Sequence, residues 1–126
     1  MIGRLKTGER AMLFVTDTST LIVLRKLEWL DLCTAGEVKI VWPQLVTKEL
    51  RQQKRKNQKV LALLASRQAK EVEVKRPLLR IGISQTDADV ISLAMQDGGI
   101  VLSEDGLLRH SALKLGLAAF SLSSLL

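Results

Sequence analysis

Met12-Leu13-Phe14-Val15-Thr16-Asp17 is a short, nearly continuous apolar run closed by a carboxylate. An apolar run that does not alternate marks a strand buried on both faces, as in a parallel sheet. Two further stretches share the form. Val38-Lys39-Ile40-Val41-Trp42 is followed shortly by Glu49, and Ile100-Val101-Leu102 by Asp105. A fourth acid, Asp87, stands at a predicted helix start. Open α/β sheets place their crevice outside the carboxyl ends of the strands. Four acids converging there would repel one another unless a divalent cation, or protons, compensated them. An oxygen-only, all-carboxylate site suits Mg²⁺ or Mn²⁺.

Between these strands the pattern turns helical. Leu21, Leu24, Leu27 and Leu30 recur at helical spacing, and Gly36 breaks the run before the second strand at about 38–42. Pro43 suits the first position of a helix that carries Glu49 and a basic run. Val60, Leu61, Leu63 and Leu64 mark another amphipathic helix after Asn57, a cap or break. Glu71-Val72-Glu73-Val74-Lys75 alternates like a half-buried edge strand that Arg76-Pro77 ends. A helix opens near Thr86, whose hydroxyl suits an N-cap, and Gly98-Gly99 stops it. A final helix over about 105–115 ends at Gly116, and 117–122 can supply a fifth strand. Alternating β and α elements imply a parallel sheet with helices on both faces.

At 126 residues the chain reads as one domain, with 1–11 as a polar lead. Its 47% apolar and 25% charged residues indicate a soluble globular protein. No apolar run reaches the roughly 20 residues of a membrane span, and no signal peptide is evident. A single cysteine, Cys33, cannot close an internal disulfide and reads as a buried thiol, which fits a cytoplasmic setting. Net charge is +6, unevenly spread. Between Lys48 and Arg80 stand eleven Lys or Arg and three acids, a local net of +8. A charge run is usually a solvated helical face; beside an acidic site it suits a polyanionic substrate.

Other chemistries lack their residues. His110 is the one histidine, so neither a Ser-His-Asp triad nor a Cys/His zinc cluster can be assembled. There is no glycine-rich phosphate loop. Asp17-Thr18-Ser19 lacks the second Asp of haloacid dehalogenase-type phosphatases. A phosphoacceptor receiver domain also clusters acids at strand ends, but the first strand here has no acidic pair upstream and no Lys follows the last strand. With no Tyr and few aromatics, base stacking is not the main binding mode.

Taken in order, Asp17-Thr18-Ser19, Val46-Thr47-Lys48-Glu49-Leu50, Thr86-Asp87-Ala88-Asp89-Val90-Ile91-Ser92-Leu93-Ala94 and Val101-Leu102-Ser103-Glu104-Asp105 resemble the successive motifs of PIN-domain proteins. The resemblance runs from about Met12 to Gly116. That family comprises metal-dependent ribonucleases, including the VapC-type toxins of toxin–antitoxin pairs. It implies a three-layer α/β/α sandwich on a parallel sheet of four or five strands, in the order 3-2-1-4-5. It implies Mg²⁺ or Mn²⁺ held by Asp17, Glu49, Asp87 and Asp105, with Ser19 and Ser103 as their hydrogen-bonding partners. RNA as substrate, an antitoxin protein and a homodimer as partners also follow from it. Lys48, Arg51, Lys54, Arg55, Lys56 and Lys59 are then candidates to hold the RNA backbone.

Each acid also has a plainer role open to it. Asp17, Thr18 or Ser19 could each cap the first helix and Asp105 the last, and Glu49 could pair on the surface with Lys48 or Gln53. Asp87 and Asp89 compete for the third position. Three, four and seven residues after Asp87 come Val90, Ile91 and Ala94, all apolar, whereas the same offsets from Asp89 give Ser92, Leu93 and Gln96. Asp87 is therefore expected to face the core stripe and Asp89 to be a first-turn acid at the site's margin. Glu104 is expected to be exposed. The competing functional reading is a non-catalytic RNA- or partner-binding module of the same fold. A carboxylate cluster would hinder pure binding of a polyanion.

Overall fold

In the computed structural model, which describes residues 12–27, 38–65, 70–75 and 82–125, the elements follow one another as expected of an α/β chain. They are β1 (Met12–Thr16), α1 (Thr18–Lys26), β2 (Val38–Pro43), α2 (Gln44–Gln52), α3 (Gln58–Ala65) and β3 (Lys70–Val72). Then come α4 (Gln85–Asp97), β4 (Ile100–Leu102), α5 (Gly106–Lys114), β5 (Ala119–Phe120) and a closing 3₁₀ turn over Ser123–Leu125. The strands form one five-stranded sheet in the order β3-β2-β1-β4-β5, and every pairing is parallel.

Strand residues alternate between two cores. Phe14, Ile40, Trp42 and Leu102 pack with Leu21 and Leu24 of α1, Val46 and Leu50 of α2, and Val60 of α3. Val15, Val41 and Val101 pack with Val90, Ile91, Leu93 and Ala94 of α4 and Leu108 and Ala112 of α5. Among the described residues, three helices thus cover one face and two the other, the three-layer sandwich expected. Each large side chain so buried contributes about 1.5–3 kcal/mol relative to exposure. The chain turns from α4 into β4 on two glycines with different duties. Gly98 takes a left-handed φ of 69° as the helix C-cap. At Gly99 a Cβ would fall 2.8 Å from Val15 Cγ2, so the turn can lie against β1 only without a side chain.

Several boundaries differ from the sequence reading. Ser84, not Thr86, caps α4, its Oγ accepting from the Asp87 N–H at 3.1 Å. Pro43 ends β2 and precedes α2 instead of opening it. α2 stops at Gln52, so Lys54, Arg55 and Lys56 of the basic run lie on the turn at 53–57. Buried Asn57 braces that turn, its Nδ2 donating to the Leu50 carbonyl at 3.0 Å. A carbonyl in the last turn of a helix has no intrahelical partner, and the side chain supplies one. β3 and β5 are shorter than the alternation suggested. The 1–11 lead, Leu30, Cys33, Gly36 and Arg76-Pro77 lie outside the described residues. Among the described residues, no helix is long and apolar enough to cross a membrane.

Candidate functional site

β1 and β4 lie side by side, and their connections leave toward opposite faces of the sheet. This is the switch point at which a crevice opens in such sheets. Each of these strands is followed by an acid that caps the next helix. Asp17 caps α1, its Oδ1 accepting from the Thr20 N–H at 3.3 Å. Asp105 caps α5, its Oδ1 accepting from the N–H groups of Leu107 at 2.9 Å and Leu108 at 3.3 Å. A carboxylate here satisfies donors left unpaired by the helix and sits well at the positive end of its dipole. The capping role is therefore filled, and in both residues it falls on Oδ1.

Ser103, fully buried, joins the two acids. Its Oγ donates to Asp17 Oδ2 at 2.9 Å and accepts from the Asp105 N–H at 3.0 Å. Arg109 Nη1 donates to the Ser103 carbonyl at 2.8 Å and holds the end of β4 in place. Glu104 is exposed, as expected. Its Oε1 accepts from the Leu122 N–H at 3.1 Å, fastening the segment after β5.

The other two acids hang from helices. Glu49 is half-buried in α2, with one oxygen accepting the Thr18 hydroxyl and the other the Thr86 hydroxyl, the latter at 2.7 Å. Asp87 is half-buried in the first turn of α4. Burial, and then the like charges of Asp17 and Asp105, raise its carboxyl from 3.8 to about 6; Ser84 opposes the rise and Glu49 adds to it. Asp87 therefore lies within electrostatic reach of all three other acids.

Among the described residues, no three acids stand close enough to grip a cation as they rest. Coulombic repulsion acts over several ångströms, whereas Mg²⁺ ligands sit about 2.0–2.1 Å from the ion, so the two observations are compatible. Among the described residues, no basic side chain is among the influences on Asp87. The donor set, carboxylate oxygens backed by hydroxyls, fits a hard divalent cation.

The remaining candidates fall as follows. Ser19 is exposed on α1, and its neighbour Thr18 is the residue that reaches a site acid. Asp89 is buried at 8% exposure and accepts from Gln85 Nε2 at 2.8 Å, which corrects the expectation of a polar face. Ser92 and Leu93 on that face are buried too, because α4 crosses the middle of the sheet and packs on β1, β2, β4 and α2. Lys48, Arg51, Lys54, Arg55, Lys56 and Lys59 are all exposed, from the helix of Glu49 onward. His110 is exposed on α5. Sequence reasoning passed over Thr18 and Thr86 as helix caps; the available signal was that each is a hydroxyl residue next to a site acid.

Solved structures of other proteins share the fold. SSO1118, a PilT N-terminus domain protein from the archaeon Sulfolobus solfataricus P2, superposes with a TM-score of 0.66 at 16% identity, over 90% of each chain. A domain of a functionally unknown protein from Methanocaldococcus jannaschii DSM 2661 gives 0.66 at 23% identity, over 89% of this chain and 91% of that one. PAE2754 from Pyrobaculum aerophilum gives 0.59 at 20% identity, over 91% and 94%. Comparison with curated protein sequences finds no match. The sequence model of DUF3368, described as a PIN domain, matches residues 13–122. With nearly the whole chain matched and the sheet order and acid-bearing edge in place, this protein belongs to the PIN-domain family.

Proposed function

We propose that this chain is a Mg²⁺- or Mn²⁺-dependent endoribonuclease that hydrolyses RNA phosphodiesters, acting in the cytoplasm as the toxin of a toxin–antitoxin pair. The observation that carries the reading is Asp87, on which three further acids bear at the switch-point edge of the sheet. Family membership supports it, because PIN domains are generally nucleases and generally depend on divalent metals. An antitoxin protein and a second copy of the chain are the protein partners that accompany this reading.

Asp17, Glu49, Asp87 and Asp105 would hold the cation. The chemistry it supplies when bound is Lewis-acid catalysis: activation of water and neutralisation of charge at the phosphodiester. The protein's own share is positioning. Ser103 and the cap hold Asp17, two backbone N–H groups hold Asp105, and two hydroxyls hold Glu49. Asp87, with its carboxyl raised to about 6, carries a proton for part of the time near neutrality when no cation is present. Exposed Lys48, Arg51, Lys54, Arg55, Lys56 and Lys59 supply a sequence-blind attraction for the RNA backbone.

The test is cleavage of RNA by the purified chain, freed of any antitoxin. Activity should vanish in EDTA and return with Mn²⁺. Asp17→Asn, Glu49→Gln, Asp87→Asn and Asp105→Asn should each reduce it to background with the fold intact, while Asp89→Asn and Glu104→Gln retain it. If the unaltered chain cleaves no RNA under any metal condition, the non-catalytic binding module takes the place of the enzyme.

A further inference from the structure

Glu49 differs from Asp17 and Asp105 in how it is held. It sits in the second turn of a helix, with a long side chain that has several rotamers to lose and no backbone N–H within its own element to fix it. Its two carboxylate oxygens are instead claimed one each, by Thr18 from α1 and Thr86 from α4. These helices lie on opposite faces of the sheet, so the pair of bonds spans its carboxyl edge. Each threonine is also the chain neighbour of another acid: Thr18 follows Asp17, and Thr86 precedes Asp87. The position of Glu49 is thereby referred to the two backbones that carry Asp17 and Asp87. Thr86 is 7% exposed and Thr18 half-buried, so water competes little for the Thr86 hydroxyl.

We infer that Thr18 and Thr86 form a hydroxyl clamp that positions Glu49 for divalent-cation binding, a function for these two residues that rests on the metal-dependent reading above. Each carboxylate oxygen that accepts one hydroxyl keeps a second lone pair for a cation. The clamp presets one ligand before the cation arrives, at an acid that caps no helix. Thr18 and Thr86 are positioning residues, acting through Glu49.

Calorimetric titration of the full chain with Mn²⁺, in the absence of RNA, tests this. Thr86→Val and Thr18→Val keep side-chain volume and remove the hydroxyl, and circular dichroism checks the fold of each. Each should weaken Mn²⁺ binding by about 10-fold, the lower end of what loss of a partner to a metal ligand costs. Thr86→Ser should restore binding. The Mn²⁺ concentration for half-maximal cleavage should rise by the same factor, with the rate at saturating Mn²⁺ little changed. If both valine variants bind Mn²⁺ as the unaltered chain does and only unfold at lower temperature, the threonines are structural ties and the clamp is refuted. Equal weakening by Thr86→Ser and Thr86→Val also refutes it. Mn²⁺ binding that is unchanged in Glu49→Gln is a separate result: it shows that Glu49 is not a ligand and removes the premise on which the clamp rests.

Discussion

Asp17 and Asp105 sit where neighbouring strands run into helices, whereas Glu49 and Asp87 hang from helices on opposite faces of the sheet. Each strand-borne acid caps, through Oδ1, the helix that begins immediately after it, within three residues, and Asp17 takes the Ser103 hydroxyl on its other oxygen. The helix-borne pair depends on distant parts of the chain. Glu49 reaches Thr18 and Thr86 across 31 and 37 residues, and Asp87 is raised largely by burial and by acids elsewhere in sequence. Two acids are thus part of what makes the fold, and the other two are placed by it. A carboxylate doing both jobs hides its chemistry behind its stability, so substitutions must separate charge from capping.

The largest effect expected on this contrast is in nucleic-acid binding, because the helix of Glu49 leads directly into the basic turn. Neutralising Arg51, Lys54 and Arg55 together should weaken RNA affinity and flatten its dependence on salt, by about one unit of slope per lost phosphate contact. Measuring affinity over a salt series with a cation-site variant that cannot cleave keeps binding apart from chemistry. An unchanged slope would return the turn to a solvated surface.

Next comes the cost of removing a cap. Asp105→Ala should lower the stability of cation-free protein by about 0.5–2 kcal/mol, while Asp105→Asn, which can still accept the bonds, should cost far less. Urea unfolding of the pair reads this directly. Glu49→Ala carries no cap penalty. Equal destabilisation by Asp105→Ala and Asp105→Asn would mean that charge, not capping, stabilises this end of α5.

The smallest effect is one of pH, at Asp87. Below its ordinary 3.8 the carboxyl is protonated in folded and unfolded chains alike and costs nothing. Between there and about 6 the unfolded chain has released a proton that the folded one still holds, so stability falls as pH rises. Above about 6 the cost is complete and constant. Because the group is half-exposed, solvent screening leaves at most about 1 kcal/mol. Asp87→Asn in EDTA should therefore stabilise the protein at pH 7 and not at pH 3.5. A gain of equal size at both would show that the charge of Asp87 is not its source.

What the chain could disclose by itself was whatever rests on neighbours in sequence. Unbroken apolar runs at Met12–Thr16 and Ile100–Leu102 require strands covered on both faces, and an acid after each of these strands caps the helix that follows. Gly98 marks a helix end for a local, conformational reason, whereas the steric need for Gly99 is set by Val15 on β1 and belongs to the tertiary structure. The alternation of elements then leads to a parallel sheet, and the family resemblance to its order. Contacts between residues far apart in sequence were decided only by the tertiary structure. Helical geometry ranked Asp87 as the inward acid and Asp89 as the outward one, yet Asp89 is the more buried, because α4 packs on β1, β2, β4 and α2, contacts that its own sequence cannot reveal. Thr18 and Thr86 looked like caps until the fold brought both to Glu49. A cap is determined by residues within one turn, whereas a partner dozens of residues away exists only once packing has set the helices against one another.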